Sequence, residues 1–88
     1  MRIHPDFTIQ QVGETFVAVP VGKTSAHFHA MISLNATGAF LWKQMAEKDC
    51  TEEDLVAALL ETYEIDAETA ARDVCRIIEV LREGGVFA

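Results

Sequence analysis

A chain of 88 residues is long enough for one small domain, expected over 1–88, and at this size only about 60–65% of the unfolded surface can be buried. Half of the residues are hydrophobic and 24% are charged, a globular composition that excludes a disordered or collagen-like chain. Fourteen acids against seven bases give −7, divided unevenly: residues 1–44 carry two acids and three bases (+1), residues 45–88 twelve acids and four bases (−8). Phosphate backbones and anionic membrane surfaces repel such a balance, so neither nucleic acid nor membrane is an expected partner.

The first third has the alternation of strands. Phe7–Val12 and Thr15–Pro20 flank Gly13-Glu14, a two-residue loop whose leading glycine suits a type II′ hairpin. The register this implies pairs Gln11 with Phe16 and Ile9 with Ala18, which puts Phe7, Ile9, Phe16 and Ala18 on one face. Pro20 has no N–H to donate and is expected to end the ladder. After a loop at 21–26, residues 27–34 alternate again, with Phe28, Ala30, Ile32 and Leu34 on one face and His27, His29, Met31 and Ser33 on the other. The expected sheet is an antiparallel meander with the third strand at one edge.

The rest is helical. Asn35 is a good N-cap for a helix through Glu47, with Ala36, Phe40, Leu41 and Met45 at helical spacing. Thr51-Glu52-Glu53-Asp54 is close to a capping box and puts three acids where the helix dipole favours them. Leu55, Val56, Leu59, Leu60 and Tyr63 form the apolar stripe of this second helix. Asp66 caps a third helix that runs to about Glu83, with Ala70, Val74, Ile77, Ile78 and Leu81 inward, Gly84-Gly85 as the stop, and Val86-Phe87 folding back on the core. Three strands followed by three helices make an α+β domain.

Chemistry-bearing patterns are sparse. His27-x-His29 is the one metal-like spacing, and two ligands without a third His or Cys nearby do not hold zinc, so no metal is expected. Cys75 falls beside the inward stripe of the third helix and is read as a small buried hydrophobe, whereas Cys50 lies in an inter-helix turn that solvent can reach. No GxSxG, HExxH or glycine-rich phosphate loop occurs, so no catalytic residue and no cofactor are expected. No apolar run nears the roughly 18 residues of a membrane span, and Met1–Asp6 lacks the core of a signal peptide, which together with two cysteines fits a reducing, cytoplasmic setting.

Two features point towards a peptide. The third strand leads directly into a helix, leaving its outer edge open as a template for strand addition. On the third helix, at about 100° per residue from Val74, Arg76, Val80 and Asp73 fall near 200°, 240° and 260°, off the core stripe. An open edge beside such a mixed flank forms a groove for an extended chain.

The stretches Phe16–Gly22, Met31–Trp42 (with Leu34-Asn35-x-Thr37-Gly38-Ala39-x-x-Trp42 its most specific part), Thr51 opening an acidic helix, Asp73-Val74 and Leu81–Val86 resemble the PqqD-like family, the coenzyme PQQ synthesis protein D group, over about four fifths of the chain. The resemblance implies a winged-helix-like domain acting as a RiPP recognition element. Such a module is non-catalytic: it binds the leader of a ribosomally made precursor peptide and presents it to a modifying enzyme, a radical SAM protein in the PQQ pathway. Carried over by position, Met31, Ile32, Ser33 and Leu34 offer the strand edge, and Asp73, Arg76, Ile77 and Val80 the helical wall. Asn35, Thr37 and Trp42 match the motif but read as capping and core packing. Other readings stay open: a winged-helix DNA-binding regulator, disfavoured by a net charge of −1 on the third helix; a structural subunit of a larger enzyme; and a homodimer paired through its open edge.

Overall fold

The chain turns first at Gly13. In the computed structural model, which describes residues 1–21 and 32–87, Gly13 takes φ 64° and no non-glycine residue has positive φ, as a type II′ turn requires. The flanking strands β1 (Phe7–Val12) and β2 (Thr15–Pro20) pair antiparallel with Ile9 opposite Ala18 and Gln11 opposite Phe16, the expected register. Ladder pairing stops at Pro20, although one further bond, from Val21 N–H to Asp6 O (2.7 Å), lies beyond it. β3 (Ile32–Leu34) pairs antiparallel with β2, and the order is β1-β2-β3. Phe7, Ala18, Ile32 and Leu34 are buried on the helix-facing side, with Ile9 and Phe16 packed against them. The His27-x-His29 pair and the N-terminal part of the expected third strand lie outside the described residues.

Each helix begins at an identifiable cap. For α1 (Ala36–Glu47), Asn35 Oδ1 accepts from Gly38 N–H at 2.8 Å. For α2 (Glu52–Thr62), Thr51 and Asp54 form a reciprocal capping box at 3.1 and 3.0 Å. The Thr51 N–H that donates to the Asp54 carboxylate, and after it the Thr51 hydroxyl, hold that carboxyl below its ordinary range, because both favour the charged form. For α3 (Ala67–Gly84), Asp66 accepts from Thr69 N–H at 2.7 Å and its carboxyl is lowered for the same reason. The far end of α3 closes at Gly85, φ 72°, with Val86 N–H returning to Leu81 O at 3.3 Å.

The core lies between the sheet and the helices: Leu41, Trp42 and Met45 from α1, Leu55 and Leu59 from α2, Ala70, Val74, Ile78 and Leu81 from α3. Ile77 packs at its margin, and Val86 and Phe87 return to it as expected. Three expectations are corrected. Ala36 is exposed, because the buried arc of α1 is centred on Leu41, Trp42 and Met45. Leu60 is 40% exposed, since the neighbours of α2 cover only the arc around Leu55 and Leu59. The cysteines are interchanged: Cys50 is buried and Cys75 exposed. The N-terminal segment explains Cys50. Its N–H donates to Met1 O (2.9 Å), Ile3 N–H to Met45 O (3.2 Å) and His4 N–H to Val86 O (2.8 Å), and Ile3 bridges Phe87. A segment without strand or helix periodicity thus seals one end of the core.

Candidate peptide-binding groove

β3 exposes one edge. Its Ile32 and Leu34 side chains enter the core while Ser33 is exposed, and among the described residues no strand pairs the side turned away from β2. Side-chain burial here leaves main-chain N–H and C=O groups as what the edge can offer. Met31 lies outside the described residues.

α3 runs beside this strand at very short range, and two glycines make that possible. A Cβ at Gly84 would overlap Ile32 Cδ1. A Cβ at Gly38 would stand 2.9 Å from Ile77 Cδ1 and 3.2 Å from Leu34 Cβ, closer than packed carbons approach. These contacts fix the phase of the helix. At about 100° per residue, Asp73, Val80 and Gly84 all fall within about 60° of Ile77, so Val80 sits between the two positions that touch β3 and its helix. It is 37% exposed, Arg76 is exposed, and Asp73 and Ile77 are half-buried.

Asp73, Arg76 and Ile77 also border a small cleft with Asn35 and Thr37 from the start of α1. Its space, about 20 Å³, admits a single water and no small molecule. The surface therefore suits a chain laid along it rather than an enclosed ligand. Asn35 and Thr37 read from the sequence as capping and core packing; nothing in their spacing shows that the first turn of α1 lies against residues 73–77. On α3 the ion pair Arg72–Glu68 (3.5 Å) lies outside this flank, and Arg76 has no carboxylate within ion-pair distance among the described residues.

Elsewhere the chemistry is quiet. A larger cleft of about 250 Å³ lies between the end of α1 and α2, bordered by Gln44, Lys48, Asp54 and Glu61. Cys50 is at its floor, where its Sγ donates to the carbonyls of Gln44 and Lys48 at 3.5 Å; burial pushes its thiol pKa up, partly opposed by Lys48. Among the described residues no three His, Cys, Asp or Glu side chains gather as a metal site, and no helix is long and apolar enough to cross a membrane.

A three-stranded antiparallel sheet followed by three helices, with an open edge beside the last helix, defines a small α+β class of domain. Within it the chain belongs to the PqqD family: residues 15–86 match the family described as coenzyme PQQ synthesis protein D. Among solved structures it is similar to TbiB1 in complex with the TbiA(beta) leader peptide, with a TM-score of 0.72 and 21% identity over 99% of this chain and 94% of that one. It is also similar to lasso peptide synthetase B1 complexed with the leader peptide, with a TM-score of 0.70 and 22% identity over 99% and 95% of the two chains. At these identities the likeness is one of fold. No curated protein matches the chain significantly.

Proposed function

We propose that the protein is a non-catalytic adaptor that binds the leader segment of a ribosomally synthesised precursor peptide as an added strand on β3. It hands the attached core to a modifying enzyme, of the radical SAM type in the pathway that gives the family its name. The observation that carries this reading is the unpaired outer edge of β3, set beside the α3 flank of Asp73, Arg76, Ile77 and Val80. Family membership supports it, as do two neighbours in fold whose structures hold leader peptides.

The energetics explain why an edge needs a wall. A strand hydrogen bond nets about 0.5–1.5 kcal/mol, while ordering each leader residue costs about 1–2 kcal/mol, so backbone pairing alone roughly cancels. Aliphatic anchors contributing about 1.5–3 kcal/mol each, buried against Ile77 and Val80, decide the balance. Affinity near the micromolar range follows, tightened when leader and enzyme bind together.

Calorimetry with the synthetic leader of a precursor encoded beside this chain tests the reading. Binding should fall by at least about tenfold when alternate leader amides are N-methylated, because one face of the strand then has no donors. Equal affinity for both peptides refutes strand addition. Retention of a DNA duplex in a low-salt gel shift, with no leader binding, would replace the adaptor by a regulator; the charges of α3, four acids and three arginines, argue against that outcome.

A further inference from the structure

Ladder parity decides which main-chain groups of β3 are open. In an antiparallel ladder alternate residues turn both N–H and C=O to the same neighbour. Val12 opposite Thr15 closes the two-residue loop, and Val21 N–H reaches Asp6 O, so Thr15, Val17 and Val19 face β1. Phe16 and Ala18 therefore face β3, where they meet Leu34 and Ile32. Ser33, between those two, turns its N–H and C=O to the outer edge. A residue of an added strand set opposite Ser33 exchanges two hydrogen bonds with it and points its side chain to solvent, as Ser33 does. The residues before and after that one point towards the helices, level with Leu34 and Ile32.

Those two levels differ in chemistry. Gly84 lies against Ile32, whereas Ile77 and Leu34 both lie against Gly38, so α3 runs antiparallel to β3. At the Ile32 level the wall is apolar, with exposed Val80 one turn before Gly84. At the Leu34 level the start of α1 closes on α3 and leaves only the cleft of about 20 Å³ bordered by Asn35, Thr37, Asp73, Arg76 and Ile77. Its charges are of both signs. Asp73 can only accept and Arg76 only donate, and neither is in an ion pair among the described residues. An acid placed there meets Asp73, and a base meets Arg76. A hydroxyl both donates and accepts, and it is the size of the one water the space admits.

We propose that the leader taken by this groove carries the motif threonine-x-aliphatic, with the middle residue opposite Ser33. A leader that continues the antiparallel sheet runs in the direction of α3 and so reaches the cleft first and Val80 second. The threonine sets its hydroxyl in the cleft and its methyl against half-buried Ile77, and the aliphatic residue covers Val80. The spacing agrees: alternate strand residues stand about 6.7 Å apart, and Arg76 and Val80 are one turn, about 6 Å, apart along the helix. The motif rests on β3 being the edge that takes a leader, and it adds which residues of that leader are read.

Fluorescence anisotropy of the full chain with the synthetic leader of a precursor encoded beside it, varied one residue at a time, tests both. N-methylation of the middle residue should lower affinity at least about tenfold, whereas alanine there changes it under about twofold. Alanine for the aliphatic residue should cost at least about tenfold. Valine for the threonine, which keeps the shape and removes the hydroxyl, should cost about three- to tenfold. Double-substitution cycles locate each contact: the aliphatic change should be non-additive with Val80→Ala, and the threonine change with Arg76→Ala. Ser33→Pro removes the outward N–H without touching the β2 ladder and should abolish binding, the thermal melt remaining cooperative. Crossed couplings, Val80 with the earlier residue and Arg76 with the later, overturn the motif by reversing the leader. So does a leader whose sensitive residues include no threonine two positions before an aliphatic one. In both cases sensitivity to N-methylation survives and the adaptor reading stands. Indifference to N-methylation at every position refutes strand addition itself, and the motif with it.

Discussion

Along α3, two flanks about a third of a turn apart meet different worlds. Ala70, Val74, Ile78 and Leu81 are at most 3% exposed and touch sheet and helices on all sides. Asp73, Arg76 and Val80 keep solvent on one side, and Ile77 joins the two flanks. One helix thus has a flank that holds the domain together and a flank free to meet something else. The difference teaches that stability and binding are separable here, residue by residue, and substitutions should respond accordingly.

The largest effect belongs to the inner flank. Leu81→Ala leaves a cavity at a position with no exposure and should lower stability by about 2–5 kcal/mol in denaturant titration, with any loss of binding following from unfolding. Gly84→Ala tests the seam between the flanks. The added methyl must displace Ile32, costing about 1–3 kcal/mol of stability and moving β3, so leader affinity should fall in the folded protein as well.

Val80→Glu sharpens the outer flank. Folding should change by under about 0.5 kcal/mol, whereas leader binding weakens by about 1–3 kcal/mol because the new carboxylate loses water under an apolar anchor. Calorimetry beside a thermal melt separates these outcomes; a large fall in melting temperature would assign Val80 to the core. Asn35→Ala removes the α1 cap and should cost about 1 kcal/mol in the same melt.

The smallest effect is a pH dependence that neither flank carries. Asp54 and Asp66 have carboxyl pKa values held below 3.8 by their capping bonds. A depressed folded-state value contributes stability that is complete above the unfolded pKa and disappears as pH falls through the folded one. Melting temperature should therefore be insensitive to these groups near neutrality and decline below about pH 4, and Asp66→Asn should flatten that decline.

What the sequence disclosed was local. Gly13 with its alternating flanks determines the hairpin register, and Asn35, Thr51 and Asp66 mark three helix starts, because turns and caps are decided by neighbours within four residues. The phase of α3 was equally legible from Val74, Ile78 and Leu81, and it placed Val80 outside the core. Errors arose where contacts cross the chain. Cys50 looked open because its cover, Met1 and its neighbours, lies nearly fifty residues away; Cys75 and Leu60 sit at the margins of apolar stripes, where tertiary cover rather than period decides exposure. Asn35 and Thr37 entered the cleft for the same reason, through the approach of α1 to α3 at Gly38.

The clip between the chain's two ends has a kinetic consequence. Closing Ile3 onto Phe87 encloses nearly the whole chain in one loop, and the N-terminal segment that closes it is held by a few main-chain bonds outside any helix or ladder, so this segment is the natural place for opening without global unfolding. Its departure uncovers Cys50, whose N–H bonds to Met1 O, while Cys75 is accessible at all times. The two thiols thus form an internal clock. Cys75 sets the rate at which a labelling reagent meets an open sulfur, and the lag of Cys50 behind it measures how rarely the first residues lift from the domain.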